Sequence, residues 1–297
     1  MAYVEILASS LIFSLMFVFQ RRYNQSEGEG LTPTVVFTVL AAMVQVITTA
    51  VGGGAAAIRP GSVNWFSLLI TLLLALNNLS YIYMSSKAFR YADMTLFAML
   101  AMLGGMAVPS FFGIVFCNEK FTVGTIICIM LVVAAVIIGT EHDGNKEKDP
   151  GKKSGKALLY YLGVFFSNGL NGVFAKINQS SPLGVESNTY LMFTGLWQLL
   201  ICSALIVRIL MKKEKLLQHP APALFGVGGY ALCTTGGNFL LLLALETLPA
   251  SVQYPFSTGG TIIFAAVVAL CFREKIHRRT VISVILALAA SVIVVLC

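Results

Sequence analysis

Amide and hydroxyl side chains recur inside the long apolar stretches of this sequence, and they are the groups best suited to bind a solute there. At membrane depth such a group must hydrogen-bond within a helix bundle or face water, so each one is a candidate cavity residue. An uncharged amide offers both a donor and an acceptor, which suits a polar or zwitterionic solute. The alternative that stays open is an interhelical hydrogen bond, worth about 0.6 kcal/mol on average. The candidate binding residues are Gln45, Asn77, Asn78, Tyr81, Asn168, Asn171, Gln198, Thr234, Thr235, Asn238, Gln253 and Tyr254.

The sequence lacks the residue clusters that metals, cofactors or catalysis require. The three histidines fall in predicted loops, and none of the six cysteines forms a C-x-x-C pair, so no metal site is expected at membrane depth. Neither H-E-x-x-H nor G-x-S-x-G occurs, and Glu5 is the one acidic candidate at depth. We therefore expect no metal, no cofactor and no enzymatic activity.

Composition places these polar groups in a membrane protein. Of the 297 residues, 57% are hydrophobic and 11% are charged, against about 25% charged in soluble domains. This excludes a soluble enzyme and a disordered chain, and no basic stripe interleaved with aromatic residues indicates a nucleic-acid partner. Apolar segments long enough to cross about 30 Å of hydrocarbon predict ten transmembrane helices, approximately at 2–19, 33–51, 63–86, 94–116, 122–140, 157–175, 188–210, 222–243, 250–271 and 280–297.

The two halves of the chain resemble each other at an offset of 155 residues. At this offset Leu103-Gly104-Gly105 falls on Thr258-Gly259-Gly260, and Glu119-Lys120 falls on Glu274-Lys275. A hydrophilic linker at 141–156 separates five predicted spans in 1–140 from five in 157–297. Because five is odd, the second repeat enters the membrane upside down. The predicted fold is an all-α membrane protein with ten transmembrane helices in two inverted five-helix repeats.

Small residues and prolines at matching positions of the two halves are the candidate gate or hinge positions. Glycines let membrane helices approach closely, and prolines allow a helix to bend, so packing and hinge roles are compatible. These residues are Gly104, Gly105, Pro109, Pro255, Gly259 and Gly260.

Two stretches, Ala88 to Lys120 and Ala244 to Lys275, share an A-[FL]-x-[YT] helix end, a glycine-containing fourth helix with a proline, and a closing Glu-Lys pair. In these features the sequence resembles the EamA-like ten-helix branch of the drug/metabolite transporter superfamily. The resemblance implies a multi-pass carrier of the cell membrane, with a central cavity for a small organic metabolite. It also implies that the fifth helix of each half serves as scaffold or as the contact of a homodimer.

The charge distribution and the resemblance predict opposite orientations. Seventeen of the 20 Lys and Arg residues fall in odd-numbered loops, which by the positive-inside rule places both termini outside the cytoplasm. The resemblance implies that both termini are inside, so the direction of transport stays open.

The expected function is secondary transport of a small polar or amphipathic metabolite, or a drug-like compound, by alternating access. Its expected partners are this small molecule and the lipid bilayer, with no nucleic acid. Proton coupling, exchange and uniport all stay open. The alternative from another class is a non-transporting assembly subunit or a passive pore.

Overall fold

The computed structural model describes residues 2–54, 63–91, 94–116, 123–140, 154–212, 215–245, 250–271 and 278–296. Over these ranges the chain forms ten α-helices and no strand. They are α1 (Ala2–Glu27), α2 (Leu31–Thr49), α3 (Trp65–Ala88), α4 (Met94–Phe116), α5 (Val123–Thr140), α6 (Ser154–Ser180), α7 (Ser187–Met211), α8 (Pro220–Leu245), α9 (Ala250–Cys271) and α10 (Arg278–Leu296). A π-helical turn at Ala50–Gly54 continues α2.

Six of these helices are long and apolar enough to cross a membrane, counting described residues only: α1, α2, α3, α4, α6 and α7. Large apolar side chains such as Leu200 and Ile285 point outward and are about 60% exposed. In water such a surface would be unfavourable, whereas in lipid it is the expected one. The chain is therefore all-helical in its described part and has the character of a multi-pass membrane protein. The number of ten spans and the location in the cell membrane stay predictions.

Helix α1 is longer than its predicted span, which ended at residue 19. It continues through a polar segment because that segment finds partners on other helices. Gln20 is buried and donates from Nε2 to Ser85 Oγ of α3 at 2.7 Å. Neighbouring helices satisfy this segment only in part, because Gln20 Oε1 and Asn24 Nδ2 are buried without a partner among the described residues.

Helix α6 also exceeds its predicted span, 157–175, at both ends. Residues 154–156, which the sequence assigned to the linker, form its first turn. The rest of that linker, 141–153, lies outside the described residues.

The main packing contacts run between the two halves of the chain. Helix α1 packs on α8 and α9, α6 packs on α3 and α4, and α7 packs on α2 and α3. The remaining large contacts between the halves join α2 with α8, α4 with α9, and α5 with α10. Fully buried side chains at the centre include Phe17 of α1, Phe97 and Leu103 of α4, and Ile262 of α9. The largest hydrophobic cluster therefore contains residues of both halves.

The bundle has two ends, which we name after one residue at each. At the Glu27 end, α1 finishes beside the start of α8. At the Asn188 end, α2 finishes beside the start of α7, because Asn188 donates from Nδ2 to the Gly52 carbonyl at 2.8 Å. At this same end Asn64, the N-cap of α3, donates to the Leu183 carbonyl between α6 and α7 at 2.9 Å.

Candidate solute-binding cavity

A cavity of about 450 Å³ lies in the middle of the bundle, bounded by α1 to α4 and α6 to α9. It extends to the Asn188 end, where exposed Gly52 and the side chain of Asn188 line it. Its polar lining consists of Thr38, Gln45, Thr48, Thr49, Asn78, Tyr81, Asn168, Asn171, Asn188, Tyr190, Gln198, Tyr230, Thr234, Thr235, Asn238, Ser257 and Thr258.

Most of the predicted binding residues line this one cavity. Those that do are Gln45, Asn78, Tyr81, Asn168, Asn171, Gln198, Thr234, Thr235 and Asn238. Asn77 is not among the lining residues. Gln253 and Tyr254 belong to the first turn of α9, and their side chains lie outside the described part of the structure.

Asn77 instead ties α3 to α6. Its amide Nδ2 donates to the Ser167 carbonyl at 2.7 Å and to Asn171 Oδ1 at 2.6 Å. These bonds satisfy the donors of Asn77 and occupy one acceptor of Asn171. Asn77 thus makes the interhelical contact that the sequence left open as an alternative.

Two lining amides are also partly engaged with backbone. Asn168 of α6 donates from Nδ2 to the Ala101 carbonyl of α4 at 2.6 Å. Gln45 of α2 donates from Nε2 to the Leu191 carbonyl of α7 at 2.9 Å. Both side chains therefore hold helices together while also lining the cavity.

A second set of amides has no such bond. Asn78, Gln198 and Asn238 line the cavity from three different helices, and no hydrogen bond joins their side chains to any described group. Adjacent residues on a helix project about 100° apart, which explains why Asn78 faces the cavity while Asn77 faces α6. These three amides are therefore free to hydrogen-bond with a molecule in the cavity.

Tyrosines supply both apolar area and hydroxyl groups. Tyr190 of α7 is 5% exposed, and its hydroxyl is buried without a hydrogen-bond partner in the described part of the chain. A buried polar group that lacks a partner costs about 1–3 kcal/mol. The hydroxyl oxygen has almost no accessible surface, so Tyr190 lines the cavity through its other atoms.

The threonines of the wall bond to their own helices. Thr38, Thr49 and Thr234 each donate to the carbonyl four residues earlier, at 2.8, 2.6 and 2.8 Å. A hydroxyl that donates in this way keeps its acceptor capacity. These side chains can still accept a hydrogen bond from a solute.

Aromatic rings close the cavity towards the Glu27 end. The ring centroids of Tyr230 and Phe37 are 4.8 Å apart, and those of Phe37 and Tyr23 are 4.9 Å apart. Tyr230 itself lines the cavity. The hydroxyl of Tyr23 also donates to the Pro33 carbonyl at 2.7 Å. The rings of Tyr230, Phe37 and Tyr23, which we call the aromatic floor, are therefore fixed to the start of α2.

Beyond that floor, Glu27 fastens α1 to α8. Its two carboxylate oxygens accept from the backbone N–H groups of Gln218 and His219 at 2.6 and 2.7 Å. The carboxylate is buried and sits just ahead of α8, which begins at Pro220. A helix N-terminus favours a negative group, so Glu27 acts as a cap supplied by another helix.

The glycines of α4 lie against α6. A Cβ added at Gly104 would meet the backbone of Phe165, with the carbonyl carbon 2.7 Å away, and one added at Gly105 would lie 2.7 Å from Asn168 Nδ2. Pro109 packs in the same seam, against Gly172. In this structure the segment of α4 from Gly104 to Pro109 packs closely against α6.

Of the two matching glycines of α9, Gly259 has looser surroundings and Gly260 does not. A Cβ at Gly259 would meet its nearest described atom, Leu288 Cδ2, at 3.5 Å, whereas one at Gly260 would lie 2.8 Å from Ser10 Oγ. The side chain of Pro255 lies outside the described residues.

None of the described residues that line the cavity carries a charged side chain. Lys87 lies at the Glu27 end, with its Nζ 3.7 Å from Glu29 Oε2. Among the described residues no cluster of three or more His, Cys, Asp or Glu side chains could hold a metal. The site therefore works through neutral hydrogen bonds and apolar contact.

Asn188, Tyr190 and Tyr230 line the cavity but were not predicted from the sequence. Asn188 begins α7, where an asparagine usually indicates a helix cap. The tyrosines carry no distinguishing pattern, because aromatic residues are common in membrane helices. The offset of 155 residues that relates the two halves offered no signal for them either.

No protein-family model matches the sequence, and no curated protein matches it. Solved structures do resemble the fold. One crystal structure aligns over 99% of this chain and 97% of its own, with a TM-score of 0.61 and 11% sequence identity. At this level of identity the likeness shows the fold alone.

Proposed function

We propose that this chain is a secondary carrier that moves a small polar or amphipathic metabolite across the cell membrane by alternating access. The observation that carries the proposal is the cavity of about 450 Å³, which is lined by hydrogen-bonding groups in the middle of an apolar bundle. Irregular or unpaired polar groups at such depth are favourable only where they line a cavity or bind a ligand.

The packing pattern supports an inverted repeat. Exchanging α1–α5 with α6–α10 converts the α1–α8 contact into the α6–α3 contact, and the α4–α6 contact into α9–α1. It likewise converts α3–α7 into α8–α2, while α2–α7, α4–α9 and α5–α10 map onto themselves. Contacts related in this way are expected of two copies around a pseudo-two-fold axis in the membrane plane.

The two ends differ in a way that supports one open side. The cavity reaches the Asn188 end, whereas the aromatic floor and the Glu27 cap lie between it and the other end. In an inverted repeat, exchanging the conformations of the two halves would close the first end and open the second. If the odd-numbered loops are cytoplasmic, this conformation faces outward.

The test is counterflow in proteoliposomes with a panel of radiolabelled neutral, anionic and cationic metabolites. A carrier shows saturable uptake that unlabelled solute on the opposite side accelerates. Linear uptake of many solutes would indicate a passive pore, and absence of uptake for every solute would indicate a non-transporting subunit. Either result would refute the proposal.

A further inference from the structure

The chemistry of the cavity wall restricts the solute it can hold. All described side chains that line the wall are neutral, and Lys176, which follows the lining residue Ala175, does not line the cavity itself. A charged solute entering this space would give up hydration without meeting an opposite charge, which is strongly unfavourable. A solute with hydroxyl or amide groups would instead exchange water for equivalent hydrogen bonds.

The free groups of the wall match such a solute. The amides of Asn78, Gln198 and Asn238 each offer donors and an acceptor and have no partner among the described residues. These groups come from α3, α7 and α8, so a solute in the centre can be contacted from several directions.

The rest of the wall is apolar and partly aromatic. Phe13, Met16, Met102 and Tyr230 line the cavity beside the polar groups. Flat apolar area of this kind suits the face of a ring, and polarizable methionines adapt to its shape. A volume of about 450 Å³ equals that of roughly 15 water molecules at about 30 Å³ each, which fits one ring or two small rings.

We propose that the cavity binds an uncharged ring compound bearing several hydroxyl or amide groups, the chemistry shared by neutral nucleosides and sugars. The proposal names the substrate class of the proposed carrier. The claim that this compound is transported rests on the proposed function, whereas the claim that the cavity binds it does not. Because the described wall offers no opposite charge, we expect compounds that differ only by an added ionised group to bind more weakly.

Matched pairs of compounds test the proposal. Adenosine is compared with adenosine monophosphate, and glucose with glucose 6-phosphate, by thermal shift of the purified chain in detergent and then by counterflow. We expect at least one neutral compound to raise the apparent Tm and its phosphorylated partner to leave it unchanged. The adenosine and glucose arms distinguish a nucleoside site from a sugar site.

The two assays distinguish an error in the proposed substrate class from an error in the proposed transport function. Stabilisation by a phosphorylated compound equal to that by its neutral partner, or no stabilisation by any compound, would overturn the proposed class. Stabilisation by a neutral compound without counterflow would support the binding class and refute the carrier. Saturable counterflow of anionic solutes would support the carrier and refute the class.

Variants locate the binding event in this cavity. We expect Asn78→Ala and Gln198→Ala each to weaken binding of the stabilising compound about threefold to tenfold, since one hydrogen bond is lost. Gln179→Ala is the matched control, because Gln179 is an exposed amide at the end of α6. Unchanged affinity in both cavity variants, or an equal loss in the control, would overturn the assignment.

Discussion

Replacing Gly104 by alanine tests whether the paired glycines of α4 are a packing contact. The added Cβ would lie 2.7 Å from the carbonyl carbon of Phe165 and 2.8 Å from its Cα. Because these are backbone atoms, they cannot rotate away, and α4 and α6 must separate. Overpacking costs about 1–3 kcal/mol, and a clash with backbone belongs at the upper limit. Alanine regains about 1 kcal/mol of helix propensity, so we expect a net loss of about 2 kcal/mol.

Gly259, at the matching position of the second half, provides the control. A Cβ there would be in ordinary contact, 3.5 Å from Leu288 Cδ2 and 3.6 Å from Ser291 Cβ. Only the gain in helix propensity remains, so Gly259→Ala should match or slightly exceed the stability of the unsubstituted protein. The assay is the apparent Tm in detergent, followed by the monodisperse fraction in size-exclusion chromatography after heating.

The expected result is a clear difference between the two variants. At roughly 2–4 °C per kcal/mol, Gly104→Ala should lower the apparent Tm by about 4–8 °C. Equal Tm values for the two variants, or a Gly104→Ala protein as stable as the unsubstituted one, would show that α4 and α6 are not in close contact at this point. The glycines would then have to be explained by flexibility.

Three further predictions concern the polar contacts. Glu27→Gln should destabilise the protein by about 1 kcal/mol in thermal unfolding, because an amide has one acceptor oxygen for two N–H groups. Glu29→Gln, which alters a partly buried ion pair with an N···O distance of 3.7 Å, should have a smaller effect because the pair is long and involves no backbone N–H group, and an equal loss in both would refute the cap. Asn77→Ala should lower the apparent Tm more than Asn78→Ala, since only Asn77 bonds to α6; the reverse order would contradict their assignment. Tyr190→Phe should leave the Tm unchanged or higher and leave solute binding in the thermal-shift assay unchanged, because the hydroxyl is buried away from the cavity and has no partner among the described residues; a lower Tm would reveal a partner for the hydroxyl.

The helices themselves were predictable from the sequence, because apolar residues dominate long stretches between short polar segments. The positions at which the helices end were less predictable. Helix α1 runs eight residues beyond its predicted limit because Gln20 and Glu27 find partners on α3 and before α8. Such contacts depend on which helices become neighbours, and hydropathy contains no information about that.

The candidate site was also predictable only in part. The cost of burying polar groups among lipid tails predicts that amides such as Asn78 and Gln198 face a cavity. Which of two adjacent asparagines bonds to a helix and which faces the cavity depends on the rotation of α3 relative to α6. Tyr190 became a candidate only when the fold placed it in the cavity wall.

Accessibility of the cavity from the two sides of the membrane tests the central claim most directly. Thr235→Cys, in a background without the six native cysteines, places a thiol in the cavity wall for labelling with a membrane-impermeant maleimide. Alternating access predicts labelling from either side of oriented vesicles, and slower labelling from both sides in the presence of a solute that stabilises the protein. Labelling from the Asn188 end alone, with or without solute, would mean that the cavity never opens at the Glu27 end, and would contradict the account.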